Sequence, residues 1–199
     1  LPALATDFRV IACDLPGHGF TDATGTATLS LDGMADALAR LMAKLGVQGR
    51  LYGVGHSAGA AILLSISARR LLNLEHVFGI NAALEPMRGS TLLSPLAKMM
   101  FLNPLTPRVL SWQARFGNAA DTVLSATGSR IDDEMRRCYI DLFRNPAHVR
   151  GALGMMANWD LVPLRQAFAR IETPVTLIAA EDDQMVSSRI SREAAAALP

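Results

Sequence analysis

Arg50-Leu51-Tyr52-Gly53-Val54-Gly55-His56-Ser57-Ala58-Gly59-Ala60-Ala61-Ile62-Leu63-Leu64 decides how this chain is read. Residues 50–54 read as a short buried strand. Ala58 to Arg70 reads as a helix with small residues at its start. Between them Gly55-His56-Ser57-Ala58-Gly59 fits G-x-S-x-G, in which a serine is forced into a strained turn and its hydroxyl is displayed as a nucleophile. Only small neighbours tolerate such a close backbone approach, which accounts for Gly55 and Gly59. The Ala58 N–H, at the helix N-terminus, is placed to stabilise an oxyanion. The pentapeptide is common by chance; its place between an apolar strand and a helix makes it specific. The plainer reading is that Ser57 only caps the helix.

Outward from this segment the pattern alternates. Arg9-Val10-Ile11-Ala12-Cys13 reads as a strand, with Cys13 as a small core residue. Leu31, Met34, Leu38, Leu41, Met42 and Leu45 recur at helical spacing, with Ser30 as N-cap and Gly46 closing the helix. Residues 76–81 read as a third strand. This order predicts a parallel sheet with crossover helices. From Pro86 to about Val162 no strand is expected. Pro95, Asn103-Pro104, Pro107 and Asn145-Pro146 separate short helical patterns there. Strand character returns at Val175-Thr176-Leu177-Ile178-Ala179-Ala180. The expected organisation is a core of residues 1–85, a helical cap of residues 86–162 and a second core part of residues 163–199.

Composition restricts function. Half of the 199 residues are apolar and 19% are charged, as suits a globular domain. A net charge of +1 gives no case for nucleic acid. No apolar run reaches the length of a membrane span; the Met-rich stretch at 92–102 is broken by Pro95 and Lys98. Two distant cysteines, Cys13 and Cys138, make no disulfide framework, and a reduced, cytoplasmic setting is expected. Nothing in the sequence calls for a metal or cofactor. Residues 86–165 carry a net charge of +4, so the remainder carries −3. A mildly basic cap suits a carboxylate-bearing substrate, although a solvated helical surface has the same composition.

Asp183, just past the strand at 175–180, is the foremost candidate for the acid that orients a catalytic histidine; Asp182 and Glu85 compete with it. His18, in Asp14-Leu15-Pro16-Gly17-His18-Gly19, reads as a loop residue that fixes backbone. His56 reads as a brace for the turn, and His76 and His148 as structural. In sites of this kind the chain order is serine, acid, histidine, and no histidine follows Asp183. The catalytic histidine is therefore not present in this chain, and a second oxyanion donor is expected ahead of Leu1. With no initiator Met and an abrupt end at Pro199, the chain reads as a fragment cut at both ends.

The Asp14–Gly19 loop, the Gly55–Gly59 turn and the strand before Asp183 together resemble the α/β-hydrolase superfamily over almost the whole chain. The insertion is similar to something narrower. Ser94-Pro95-Leu96-Ala97-Lys98, Leu102-Asn103-Pro104-Leu105, Thr127-Gly128-Ser129, Asn145-Pro146-Ala147-His148-Val149 and Gly151–Asp160 resemble the magnesium-chelatase-associated accessory hydrolases of bacteriochlorophyll biosynthesis (the BchO family). The resemblance implies an α/β-hydrolase fold, here partial, with a helical cap. It implies a serine hydrolase acting on an ester or acyl bond, with Ser57 and Asp183 catalytic and no cofactor. It also implies a small-molecule substrate such as a tetrapyrrole, the chelatase as partner, and work at the periphery of the photosynthetic membrane. Two other readings stay open: a non-catalytic tetrapyrrole- or chelatase-binding accessory, and an unrelated capped esterase or carbon–carbon bond hydrolase. Dehalogenase and epoxide hydrolase chemistry needs a carboxylate where Ser57 stands.

Overall fold

The computed structural model describes residues 2–85, 99–100, 102–116 and 131–198. The Ser94–Lys98 and Thr127–Ser129 motifs lie outside these residues.

Three strands, β1 (Leu51–His56), β2 (Leu74–Ile80) and β3 (Val175–Ile178), form a parallel sheet in the order β1-β2-β3. The register sets Gly55 beside Gly79 and Gly79 beside Leu177. Side chains alternate across a strand, so Gly53, Gly55, Val77 and Gly79 share one face. That face receives α2 (Ala58–Ala68), whose residues Ala60 to Ser67 are all buried. A helix apolar all round belongs in a core, and α2 is the centre of this one. Ile62, Leu64 and Ile66 join Met34, Val77, Leu84 and Ile171 in a single apolar cluster. The opposite face of the sheet exposes Tyr52, Val54 and Ile178.

Helix α1 (Leu31–Lys44) covers α2 from outside. The Ser30 hydroxyl accepts from the Gly33 N–H at 3.1 Å, a cap worth about 1 kcal/mol. Gly46, at φ +60°, ends the helix. Both ends follow the sequence reading.

The predicted strand at 9–13 is not formed. Val10 and Ile11 are half-buried, while Arg9, Ala12 and Cys13 are exposed. A strand exists by pairing its N–H and C=O groups with a neighbour, and among the described residues nothing pairs with this one. Cys13 is accordingly an exposed free thiol, not a core residue.

Between β2 and β3 the described regular structure is helical. Helices α3 (Thr106–Phe116), α4 (Asp133–Phe143) and α5 (Pro146–Asn158) pack together, and α5 also rests on the 3-10 turn Thr26–Leu29. Asn145-Pro146 starts a helix instead of merely interrupting one. The Asn145 carboxamide oxygen accepts from the Ala147 N–H at 2.9 Å, and proline suits the first turn, where no N–H is needed. Helix α6 (Val162–Ala167) begins where the Asp160 carboxylate accepts from the Val162 N–H at 2.9 Å, with Pro163 in its first turn. Trp159 and Met155 pack against the core, whereas Met156 is exposed. Helix α7 (Ser188–Ala197) closes the described structure.

Candidate active site

Ser57 links β1 to α2 with φ +52° and ψ −115°. A non-glycine residue held in such a conformation stores about 1–3 kcal/mol of strain, which the surroundings must enforce. Here they do so through the main chain. The Ser57 N–H donates to the Ile80 carbonyl at 2.9 Å. The Ser57 carbonyl accepts from the Ala60 and Ala83 N–H groups, both at 3.2 Å. The side chain does not cap α2, so the plainer reading of Ser57 as a helix cap is not what the structure has. Its hydroxyl makes no hydrogen bond among the described residues. Ala58 heads α2, where first-turn N–H groups have no acceptor within the helix.

The two glycines of the turn differ. A Cβ on Gly55 would lie 2.5 Å from the Ala60 nitrogen and 2.6 Å from the Gly59 oxygen, so only glycine lets the strand end and helix start approach this closely. A Cβ on Gly59 would meet nothing within 4 Å among the described residues. The close-approach argument therefore applies to Gly55 and not to Gly59. His56 is exposed and its side chain makes no hydrogen bond among the described residues, so it braces the turn through none of them.

Asp183 lies beyond β3 in a loop organised by its own carboxylate. Oδ1 accepts from the Met185 N–H at 2.7 Å and the Val186 N–H at 2.9 Å. Oδ2 accepts from the Asn81 side-chain amide at 2.6 Å. Asn81 follows β2 directly, at φ +42°. Its Oδ1 accepts from the Ala180 N–H at 2.8 Å, and its N–H donates to the Ile178 carbonyl at 2.8 Å. Ser57 and Asp183 are thus both tied to the Ile80–Asn81 dipeptide at the C-terminal edge of the sheet, where ligands bind in open parallel sheets.

The rival acids are placed differently. Glu85 accepts from Arg165 at 3.2 Å and Arg189 at 2.8 Å, a structural ion-pair cluster that Glu193 extends through Arg189. Asp182 is exposed, and among the described residues only its carbonyl is engaged, by Gln184. Asn81 was missed in the sequence reading, which ended a strand on it. The available signal was an asparagine at a strand end, since asparagine is enriched at positive φ.

None of the four histidines hydrogen-bonds to Ser57 or Asp183. His18 Nδ1 lies 3.1 Å from the Pro16 carbonyl, so it fixes backbone as expected. His76 bonds Thr176 at 2.8 Å and stacks on Phe78. His148, on α5, accepts from the Gly19 N–H at 3.1 Å through Nδ1 and meets the His18 ring edge-on at 5.5 Å. Burial, and secondly His18, pull the His148 pKa below the usual histidine value, with Asp14 opposing. Gly17 and Gly151 complete this junction: a Cβ on Gly151 would lie 1.8 Å from the Gly17 carbonyl oxygen. Among the described residues no group of histidines, cysteines and carboxylates is disposed to hold a metal, and no helix is long and apolar enough to cross a membrane.

Known proteins match this arrangement over the whole chain. The profile of the Alpha/beta hydrolase family matches residues 1–199. The magnesium-chelatase 30 kDa subunit of Rhodobacter capsulatus is 38% identical over 205 residues, covering all of this chain and 70% of that protein. The proposed carbamate hydrolase RutD of Pseudomonas savastanoi pv. phaseolicola is 31% identical, covering all of this chain and 74% of that one. Among solved structures, a thermophilic esterase from Thermogutta terrifontis superimposes with a TM-score of 0.75 at 19% identity, over all of this chain and 71% of that one. The enol-lactonase of Burkholderia xenovorans LB400 does so with a TM-score of 0.67 at 22% identity, over 99% of this chain and 72% of that one. With its parallel sheet, its strained serine turn and a family match from end to end, this chain belongs to the alpha/beta hydrolase family.

Proposed function

We propose that this protein is a serine hydrolase that cleaves an ester or related acyl bond, as an accessory of the magnesium chelatase step of bacteriochlorophyll biosynthesis. The observation that carries the chemistry is Ser57 at φ +52° between β1 and α2, with its hydroxyl unbonded among the described residues. Ser57 attacks the acyl carbon. The Ala58 N–H, at the positive end of α2, stabilises the oxyanion that forms. Asp183 orients the histidine that takes the Ser57 proton and returns it to the leaving group. In this reading helices α3, α4 and α5 serve as the described part of the cap expected at 86–162.

The pathway assignment rests on the 38% identity with the magnesium-chelatase subunit, together with the cap motifs at 102–105 and 145–160. It makes a tetrapyrrole the favoured substrate class, and the net positive charge of residues 86–165 suits its carboxylate side chains. The test is labelling of the intact protein with a fluorophosphonate probe. Covalent labelling that Ser57→Ala abolishes is expected. Labelling no faster than in Ser57→Ala would reject the hydrolase. It would leave the non-catalytic binding role, in which Ser57→Ala preserves pigment synthesis. The similarity to a proposed carbamate hydrolase supports acyl-bond cleavage without the pathway. Tetrapyrrole ester and carbamate substrates, offered side by side, discriminate between these two.

A further inference from the structure

The Asp183 carboxylate has about four acceptor positions. Among the described residues three are used: two on Oδ1 by the Met185 and Val186 N–H groups, and one on Oδ2 by the Asn81 amide. One position on Oδ2 is left for an imidazole N–H. Asn81 is the only long-range partner among these, 102 residues away from Asp183 in sequence. Its other side-chain atom is committed too, since Oδ1 accepts from the Ala180 N–H. The carboxamide therefore cannot rotate without losing both bonds. Its backbone is equally constrained, because the residue before it supplies the carbonyl that holds the Ser57 N–H.

We infer that Asn81 is the positioning residue of the site: it fixes the Asp183 carboxylate relative to the Ser57 turn and leaves one Oδ2 lone pair for the histidine. This rests on the serine-hydrolase reading. Asn81 touches neither substrate nor the reacting atoms. It acts through Asp183, joining the two halves of the site across the β2–β3 edge. Within the β3 loop, Asp183 is held only by the N–H groups two and three residues ahead, so without Asn81 its carboxylate moves with that loop.

The test compares four forms of the intact protein: wild type, Asn81→Gly, Asn81→Asp and Ser57→Ala. Fluorophosphonate labelling rates and p-nitrophenyl acetate hydrolysis are followed across pH. Glycine accepts the positive φ of this position and removes only the amide. Asn81→Gly is expected to lower kcat by about 10- to 100-fold with KM unchanged, the scale of a small misplacement in a catalytic group. Asn81→Asp keeps the shape but sets a second carboxyl against Asp183. The added negative charge favours the imidazolium form of the histidine that Asp183 orients, so the acid limb of the labelling profile moves to higher pH. A positioning role is overturned if Asn81→Gly retains wild-type kcat, which would leave Asn81 a backbone turn residue. It is also overturned if the acid limb of Asn81→Asp stays in place, a readout that does not depend on Asn81→Gly folding. If wild type itself labels no faster than Ser57→Ala, the hydrolase reading falls and the positioning role falls with it. An active wild type with an indifferent Asn81 rejects the positioning role alone.

Discussion

The side-chain amide of Asn81 donates to Asp183 Oδ2 at 2.6 Å, while the Ile80 carbonyl next to it accepts from the Ser57 N–H at 2.9 Å. One dipeptide at the end of β2 therefore holds both the Ser57 turn and the Asp183 loop. Asp183→Asn is expected to keep the fold, because the new carboxamide oxygen still accepts from the Met185 and Val186 N–H groups, while its NH2 faces the Asn81 NH2 and that bond is lost. Activity is expected to fall by about 10⁴-fold, as when a triad acid loses its charge and misorients the histidine. Glu85→Gln should leave the labelling rate unchanged, since Glu85 serves the Arg165–Arg189 cluster. Parallel labelling rates for the two variants check this. A slow Glu85→Gln beside an unimpaired Asp183→Asn would reverse the assignment of the acid.

Gly55 and Gly59 should respond oppositely to alanine. In Gly55→Ala the Cβ strikes the first turn of α2, 2.5 Å from the Ala60 nitrogen. Overpacking of this kind costs about 1–3 kcal/mol or more. Gly59→Ala meets open space among the described residues, and alanine is the better helix former by about 1 kcal/mol. Urea midpoints should drop for the first variant and hold or rise for the second.

The junction of α5 with the Asp14–Phe20 loop should weaken in acid. His148 Nδ1 accepts from the Gly19 N–H and can do so only when unprotonated. Its pKa lies below the ordinary value through burial and the nearby His18, against the pull of Asp14. A histidine whose folded pKa is depressed contributes fully above its unfolded value of about 6.5. That contribution is lost as pH falls through the lower folded pKa. His148→Gln should flatten the fall in stability between neutral pH and that point. Urea midpoints across pH measure it, and an equally steep fall in the variant would exclude His148 as its source.

Gly151→Ala tests the same junction sterically. The Cβ would overlap the Gly17 carbonyl, which belongs to a backbone turn with Gly17 itself at φ +78°. A cost of about 1–3 kcal/mol is expected. Hydrogen exchange should speed up at Gly19, whose N–H loses the His148 acceptor as α5 is pushed away. Unchanged protection there would show that the junction tolerates a methyl group.

The features legible in sequence are those made by neighbours along the chain. Ser30 before α1, Asn145-Pro146 before α5 and the small residues around Ser57 act within a few residues, so their identity suffices. The α/β-hydrolase reading followed because strand, strained turn and helix are contiguous, and the family match over residues 1–199 agrees with it. Asp183 could be ranked above Asp182 and Glu85 from its distance past a strand, but not separated from them by any local chemistry.

Tertiary structure decided the rest, because the deciding contacts join distant segments. Residues 9–13 have the composition of a strand, yet among the described residues no neighbouring strand pairs with them and Cys13 is exposed. Gly59 fits the motif as well as Gly55 does, but only Gly55 is pressed against the helix start. Asn81 looked like the last residue of a strand. Its partner is 102 positions away, and His148 lies 129 from Gly19. Composition and periodicity carry no record of such pairings, because a hydrogen bond depends on where folding brings its two groups. The sequence by itself determined that a serine is displayed on a turn between strand and helix. The packing of β2 against β1 and β3 decided that the Ser57 turn and the Asp183 loop meet at the Ile80–Asn81 dipeptide.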